Sequence, residues 1–439
     1  MTAQVASKYE EFTIESNDGS RTVDLKLGVV GFSYYEDIFS PTITATVTII
    51  TTGDAIKDFK GKQGQKSVLN GLPVVGGERV KIKIKAPIGK GLDWSSKPEN
   101  YLYVAGVSDV STESGRESFT LKLVSRAAIT NETSRVNKKY ATTEKIDASA
   151  EKIAKDFLKI KLKKKDETKN KYGFIGNMRK PFTVLTWLAS KAIPSFDKND
   201  SSAGYVFYQT HDGFFFRSLD ALAKEKPFTE YKVDEVNQTT SADDVKKSAK
   251  KIIDYHVNRN TNVIEKMRTG AYATNNIFFD PLTFEFPQYS YKLEEHLKDL
   301  KGMESLMGEM PKLPPIEAGG DSVGNYPTRV MSRILDRGTL DKDVKKDLNS
   351  NPVKNQAQSV MRYNLLMTQS VSVTVPCNTD LRAGMMIKCF FPNLSPDKGT
   401  EYDEHISGLY MIKELGHHFD TDSSYTSMLL VRDTYGRKK

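Results

Sequence analysis

The residues best suited to metal chemistry lie near the C-terminus, where His417 and His418 are adjacent and His405 and Cys389 precede them. Imidazole and thiolate together are zinc ligands. Neighbouring residues on a strand point to opposite faces, so only one of His417 and His418 can enter a common site. They read as core and rim histidines, and no metal site is expected at His405, His417 or His418. Glu36 and Asp37 are adjacent carboxylates, and an extended segment separates them in the same way. A pair of acids for glycoside cleavage can still be assembled from distant positions, which spacing leaves open.

Two loops resemble ligand sites and fail on one residue each. Gly61-Lys62-Gln63-Gly64-Gln65-Lys66-Ser67 places Gln65 where a phosphate-binding loop needs glycine directly before lysine. Asp197, Asn199 and Ser201 have calcium-loop spacing, but Ser202 replaces the turn glycine and Tyr208 the bidentate glutamate. There is no Gly-x-Ser-x-Gly elbow. Cys377 and Cys389 flank a turn between two expected strands and read as buried free thiols of a reducing cytoplasm. No catalytic or cofactor-binding residue is assigned, and a protein that is not an enzyme is expected.

The elements around these residues are mostly strands. Ile43, Ala45, Val47 and Ile49 alternate with threonines, and Val80, Ile82 and Ile84 with lysines, which gives strands with one buried face. After Arg126 the period changes: Ile146, Ala150, Ile153 and Phe157 recur at helical intervals. A second helix starts at Pro181 with the stripe Phe182, Leu185, Ala189 and Ala192. A hairpin over Tyr205–Tyr208 and Phe214–Phe216 turns at Asp212-Gly213, a pair that tolerates positive φ. Strands resume at Ile252–Tyr255, Ile277–Phe279 and Phe284–Phe286. A helix over Glu294–Met310, a Pro- and Gly-rich loop to Pro327 and a helix over Gln356–Met367 follow. Val360, Tyr363, Leu366 and Met367 are expected on the core side of that last helix. Val371–Val375 then opens a sheet that runs to Val431.

At 439 residues, with 38% hydrophobic and 27% charged side chains, the chain is expected to fold as two to four domains with a well-charged surface. Met1 to Phe12 lacks the apolar core of a secretory signal. No run reaches the ~18 apolar residues of a spanning helix, so stable membrane insertion is not expected. The net charge of +8 gathers at Lys159–Lys165 and Lys246–Lys251, which read as solvated faces rather than a nucleic-acid surface.

Two stretches repeat one pattern. Gly77-Glu78-Arg79-Val80-Lys81-Ile82 and Gly384-Met385-Met386-Ile387-Lys388-Cys389 each lead to a strand ending in apolar residues and arginine. The spans from Gly77 to Arg126 and from Gly384 to Arg432 differ by one residue. Chance likeness of two sheets and an internal duplication both account for this. On the second, Val80-Lys81-Ile82 and Ile387-Lys388-Cys389 occupy equivalent strands.

Ordered motifs along the chain carry a family resemblance. They are Arg126-Ala127-Ala128-Ile129-Thr130-Asn131 through Val136, Lys180-Pro181-Phe182 through Ala189, the Gly204–Ser218 hairpin, Val375-Pro376-Cys377-Asn378 with Leu381-Arg382-Ala383-Gly384, and Ser407–Tyr410. In this order they are similar to the baseplate central hub proteins of contractile-tailed phages, the gene product 27 family of T-even-type myoviruses. Cys377 departs from the glycine expected there.

The resemblance implies a β-rich, multidomain α+β fold. It has two antiparallel β-barrel domains similar to the tail tube, a small α+β domain and a mostly helical insertion. The divisions are 1–128 for the first barrel, 129–226 for the α+β domain, 227–292 and 369–439 for the two parts of the second barrel, and 293–368 for the insertion. It also implies a homotrimeric ring adapting a six-fold tail tube to a three-fold spike. The implied partners are the spike protein, the tube or tube-initiator protein, wedge proteins and the tape measure protein. DNA would pass through the lumen without specific binding, in a virion assembled in the host cytoplasm. A tail-associated cell-wall hydrolase and a nucleic-acid-binding protein are the rival readings.

Overall fold

Alternating side chains build the first half of the sheet. β1 (Lys8–Glu15), β2 (Val29–Asp37), β3 (Thr44–Thr52), β4 (Arg79–Lys85), β5 (Leu102–Glu113) and β6 (Arg116–Ser125) are its principal strands. Ala45, Val47 and Ile49 of β3 and Val80, Ile82 and Ile84 of β4 meet in one core with Phe12 and Phe32. Each fully buried aliphatic side chain there contributes about 1.5–3 kcal/mol. The threonines of β3 lie on the opposite face, as strand alternation requires.

The computed structural model describes residues 6–52, 56–57, 65–195, 203–233, 249–258, 262–295, 313–317, 320–336, 349, 352–393 and 402–434. For 56–57, 65–66 and 352–354 it describes the backbone alone. The loop at Gly61–Gly64, the Asp197–Ser201 spacing, Lys246–Ser248 and most of the helix expected over Glu294–Met310 lie outside these residues.

A compact α+β unit follows: α1 (Arg126–Thr133), α2 (Ile146–Ile153), β7 (Leu162–Lys165), α3 (Pro181–Ala189), β8 (Tyr205–Thr210) and β9 (Gly213–Ser218). Pro181 occupies the first turn of α3, and Phe182, Leu185, Ala189 and Ala192 are buried as the stripe requires. In the β8–β9 hairpin Thr210 pairs with Gly213. The turn residues are therefore His211 and Asp212 rather than Asp212-Gly213, and Gly213 alone takes positive φ, at 131°.

The principal remaining elements are β10 (Glu230–Lys232), β11 (Asp254–Asn258), β12 (Ala273–Phe279), β13 (Gln288–Lys292), β14 (Arg329–Ile334), α4 (Pro352–Leu366), β15 (Gln369–Pro376), β16 (Met386–Phe390), β17 (Gly408–Asp420) and β18 (Ser424–Arg432). Two expectations change here. β12 and β13 fall within 227–292, expected as the first part of the second barrel, but pair with β14 in a separate three-stranded sheet, and Phe284–Phe286, expected as a strand, is not one. On α4 the core residues are Ala357, Met361, Leu365 and Leu366, while Val360, Tyr363 and Met367 are only partly buried. The rotation brings Arg362 into the interior, between Asp220 at 2.8 Å and Asp433 at 2.6 Å. A guanidinium so buried is tolerated because a carboxylate bonds to it on either side.

The repeated sequence pattern corresponds to a repeated topology. β2-β3-β6-β5-β4 and β11-β15-β18-β17-β16 are two five-strand paths, antiparallel at every step. Val80 pairs with Leu102, and Ile387 with Tyr410, so these strands occupy equivalent places. The Gly77 N–H donates to the Val104 carbonyl, and the Gly384 N–H to the Ile412 carbonyl. The two ladders share one bulge, between Lys122 and Leu123 in the first and between Ile412 and Glu414 in the second, leaving Ala105 and Lys413 as the extra residues, and the first ladder is irregular again between Ser118 and Thr120. Through this register Arg432 aligns with Ser125, one place before the Arg126 that the sequence pattern suggests.

The fold is α+β and β-rich, as expected, but the two units are not closed barrels. They merge into one fourteen-stranded sheet. The reason lies at the seam: residues 414–420 of β17 pair with 31–37 of β2, so edges available for closing each unit are used to join them. Phe419 crosses this seam and stacks on Phe32 in the first core, with ring centroids 6.1 Å apart.

Candidate assembly surface

The seam is fastened at Glu36. This buried carboxylate on β2 accepts from the Tyr34 hydroxyl at 2.7 Å, the His211 N–H at 2.7 Å and the Ala383 N–H at 2.8 Å. One side chain thus ties the first unit to the α+β hairpin and to the loop before β16. Burial pushes its carboxyl above the usual range, offset by the Arg382 guanidinium and these hydrogen bonds. Arg382 in turn reaches Asp212 at 3.2 Å. The hydrogen bond from His211, with Arg382 nearby, holds the Asp212 carboxyl well below the ordinary range. Asp37, next to Glu36, points to the other face and meets Lys413 at 3.6 Å. The two acids are separated as expected.

The histidines divide in the same way. His417 is fully buried, stacks parallel to Tyr34 and shares a 2.9 Å hydrogen bond with Thr426. Burial lowers it to about 3, so it is neutral at physiological pH. His418 lies on the polar face, with Nδ1 2.9 Å from Ser33 Oγ across the seam and Nε2 2.9 Å from Ser427 Oγ. His405 is exposed, and its carbonyl accepts from buried Arg432. Cys377 lies in the first core and Cys389 in the second. Among the described residues no three His, Cys, Asp or Glu side chains group to hold a metal. None of their helices is long and apolar enough to cross a membrane.

What remains is surface. The sheet's polar face is a band of hydroxyls, including Thr46, Thr48, Thr120, Ser372, Thr374 and Ser427. Asp37, Glu414 and Asp420 stand on it with Arg116 and Lys122. A cleft of about 370 Å³ opens on this face between the β2–β3 turn and β11. The basic run at Lys159–Lys165 lies on the α+β unit and is partly matched: Lys164 meets Glu225 at 3.1 Å, and Lys165 meets Glu151 at 2.6 Å. Sequence reasoning missed the Glu36–Ala383 clasp because its members are separated by most of the chain. The motif Leu381-Arg382-Ala383-Gly384 held half of it.

No protein-family model matches the sequence, and no curated protein matches it either. Solved structures do. The tail protein from Neisseria meningitidis MC58 superposes with a TM-score of 0.55 at 12% identity, over 97% of each chain. The chain has a tail-protein fold. The 43 kDa tail protein of prophage MuSo2 from Shewanella oneidensis agrees, with a TM-score of 0.52 at 9% identity over 97% of this chain and 98% of that one. Both likenesses run nearly end to end, so they cover the two five-strand units, the α+β unit and the segments between them.

Proposed function

We propose that this chain is a structural component of a phage-type tail, the central hub of its baseplate. Three copies form a ring that presents six similar β-units to a six-fold tube and a three-fold face to the spike. The observation that carries this reading is the duplicated five-strand path, with its matched bulge and matched glycine hydrogen bonds. A three-fold ring presents six like contacts only if each subunit carries the unit twice.

In this reading residues 1–128, and 227–292 with 369–439, supply the ring units, less β12 and β13, which stand in their own sheet. The 129–226 unit and the 293–368 insertion face outward to wedge proteins. The tube or tube-initiator protein and the tape measure protein meet one face, and the spike the other. The hydroxyl-rich face lines the channel. Mixed charges there avoid the phosphate binding that a lysine-lined lumen would impose on passing DNA. The place of the Lys159–Lys165 run on the α+β unit, where Lys164 and Lys165 are paired, supports a position away from the channel. The site of action is the virion, after assembly in the host cytoplasm, with no membrane insertion and no catalysis.

Light scattering and particle imaging, on the purified chain and on tail particles that contain it, test the proposal. Three copies in a three-fold ring are expected. A chain that stays monomeric and never joins a three-fold particle overturns it.

A further inference from the structure

The seam inside one chain contains instructions for a second seam between chains. β17 uses residues 414–420 to pair with β2. In the first unit the strand equivalent to β17 is β5, and in the second unit the strand equivalent to β2 is β11. Among the described residues, 106–113 of β5 pair with β6 alone, and β11 pairs with β15 alone. Residues 109–113 of β5 are exposed, as are Asp254, His256 and Asn258. Among the described residues the first unit thus leaves the 106–113 edge of β5 unpaired and the second unit leaves an edge of β11 unpaired, the counterparts of the two edges already joined within the molecule.

We propose that β5 of one copy pairs antiparallel with β11 of the next, repeating the β17–β2 seam around a closed ring; this rests on the ring reading above. Register follows from the ladders beyond the irregularity that the first has between Ser118 and Thr120 and the second lacks, so the repeat covers Ser111 to Glu113 of β5. His418 pairs with Tyr425 and Ser111 with Ser118, and Tyr425 and Ser118 are equivalent on β18 and β6. Ser111 is thus the counterpart of His418. By the same route through Ser372 and Thr46, His256 is the counterpart of Ser33.

The internal seam carries a hydrogen-bonded pair, His418 on β17 with Ser33 on β2. The external seam carries the same pair with the partners exchanged, Ser111 on β5 facing His256 on β11. The next pair is Thr112 against Tyr255, where the internal seam has Phe419 against Phe32. Glu113 then falls opposite Asp254, so this end carries like charges, which are destabilising across a strand pair. The external seam is more polar than the internal one. That suits edges exposed to water until assembly, since a polar edge resists indiscriminate strand pairing. Head-to-tail contacts of this kind close into a ring only when the rotation permits.

Disulfide trapping tests the register. Paired Cα atoms across an antiparallel ladder lie within disulfide range. The full chain carrying Ser111→Cys and His256→Cys is oxidised, alone and in tail particles, and run without reductant. A covalent species of three chains is expected, absent from either single variant. Ser33→Cys with His418→Cys is the control, trapping the internal seam without linking chains. Ser111→Lys, an exposed edge substitution, is expected to shift the scattering mass from three chains toward one. If three-fold particles form and the control pair closes, but 111 and 256 never link, the seam is wrong and the ring reading stands. If no three-chain assembly forms in either setting, both fall.

Discussion

Glu36 and Ala383, 347 positions apart, are joined by a 2.8 Å hydrogen bond from the Ala383 N–H to the Glu36 carboxylate. Glu36→Ala removes an acceptor that serves three donors and leaves Arg382 short of a counter-charge. A loss of about 3–5 kcal/mol is expected, in the range for breaking a buried charged network. Tyr34→Phe deletes one of the three bonds and should cost about 1 kcal/mol. Urea unfolding of both variants checks the order, and equal losses would count against Glu36 as the clasp.

Gly77 and Gly384 open equivalent strands with φ of 92° and 87°. A Cβ at Gly384 would stand 2.7 Å from the Tyr208 hydroxyl, whereas at Gly77 it would meet the Asn17 side chain at 3.0 Å. Both alanine variants bear the cost of left-handed backbone, about 1–3 kcal/mol. Gly384→Ala should lower the melting temperature further, because Tyr208 is packed in the interior and Asn17 sits near solvent. Equal melting temperatures would remove the steric argument.

His417 ties stability to pH. Its folded-state value, about 3, lies below the 6.5 of an unfolded histidine, chiefly through burial. Its contribution is complete above about pH 6.5 and is lost as pH falls toward 3, because the unfolded chain then binds the proton more readily. The full effect is on the order of a few kcal/mol. Urea midpoints at pH 7.5, 5.5 and 4 should fall more steeply for the native protein than for His417→Gln. Parallel slopes would show that His417 does not carry the effect.

Burial pushes the Cys377 thiol up to about 12 and raises Cys389 as well. A thiolate reagent at pH 8 should therefore leave both untouched in the folded protein and modify both in urea. Rapid modification of the native protein would mean that one of the two cores opens.

Local patterns were legible because they depend on neighbours in sequence. Period-two alternation located β3, β4 and β15, and Pro181 located the start of α3. Adjacency on a strand was enough to separate His417 from His418 and Glu36 from Asp37. The paired glycines at 77 and 384 marked equivalent strands, since each takes a conformation that favours glycine. The α4 stripe was harder to read. Arg362 looks like a surface residue until Asp220 and Asp433, both distant in sequence, are seen to match its charge.

The sequence by itself determined the strands and helices of a β-rich α+β protein and showed a repeated pattern, because alternation and turn residues act over a few positions. Only the tertiary structure decided that the two units share a single sheet rather than closing as barrels. A strand's alternation says which face is buried but not which edge is hydrogen-bonded, and every strand has two edges to offer. The choice of β17 against β2 is made by contacts across nearly the whole chain, at Phe32 with Phe419, Ser33 with His418, and Glu36 with Ala383.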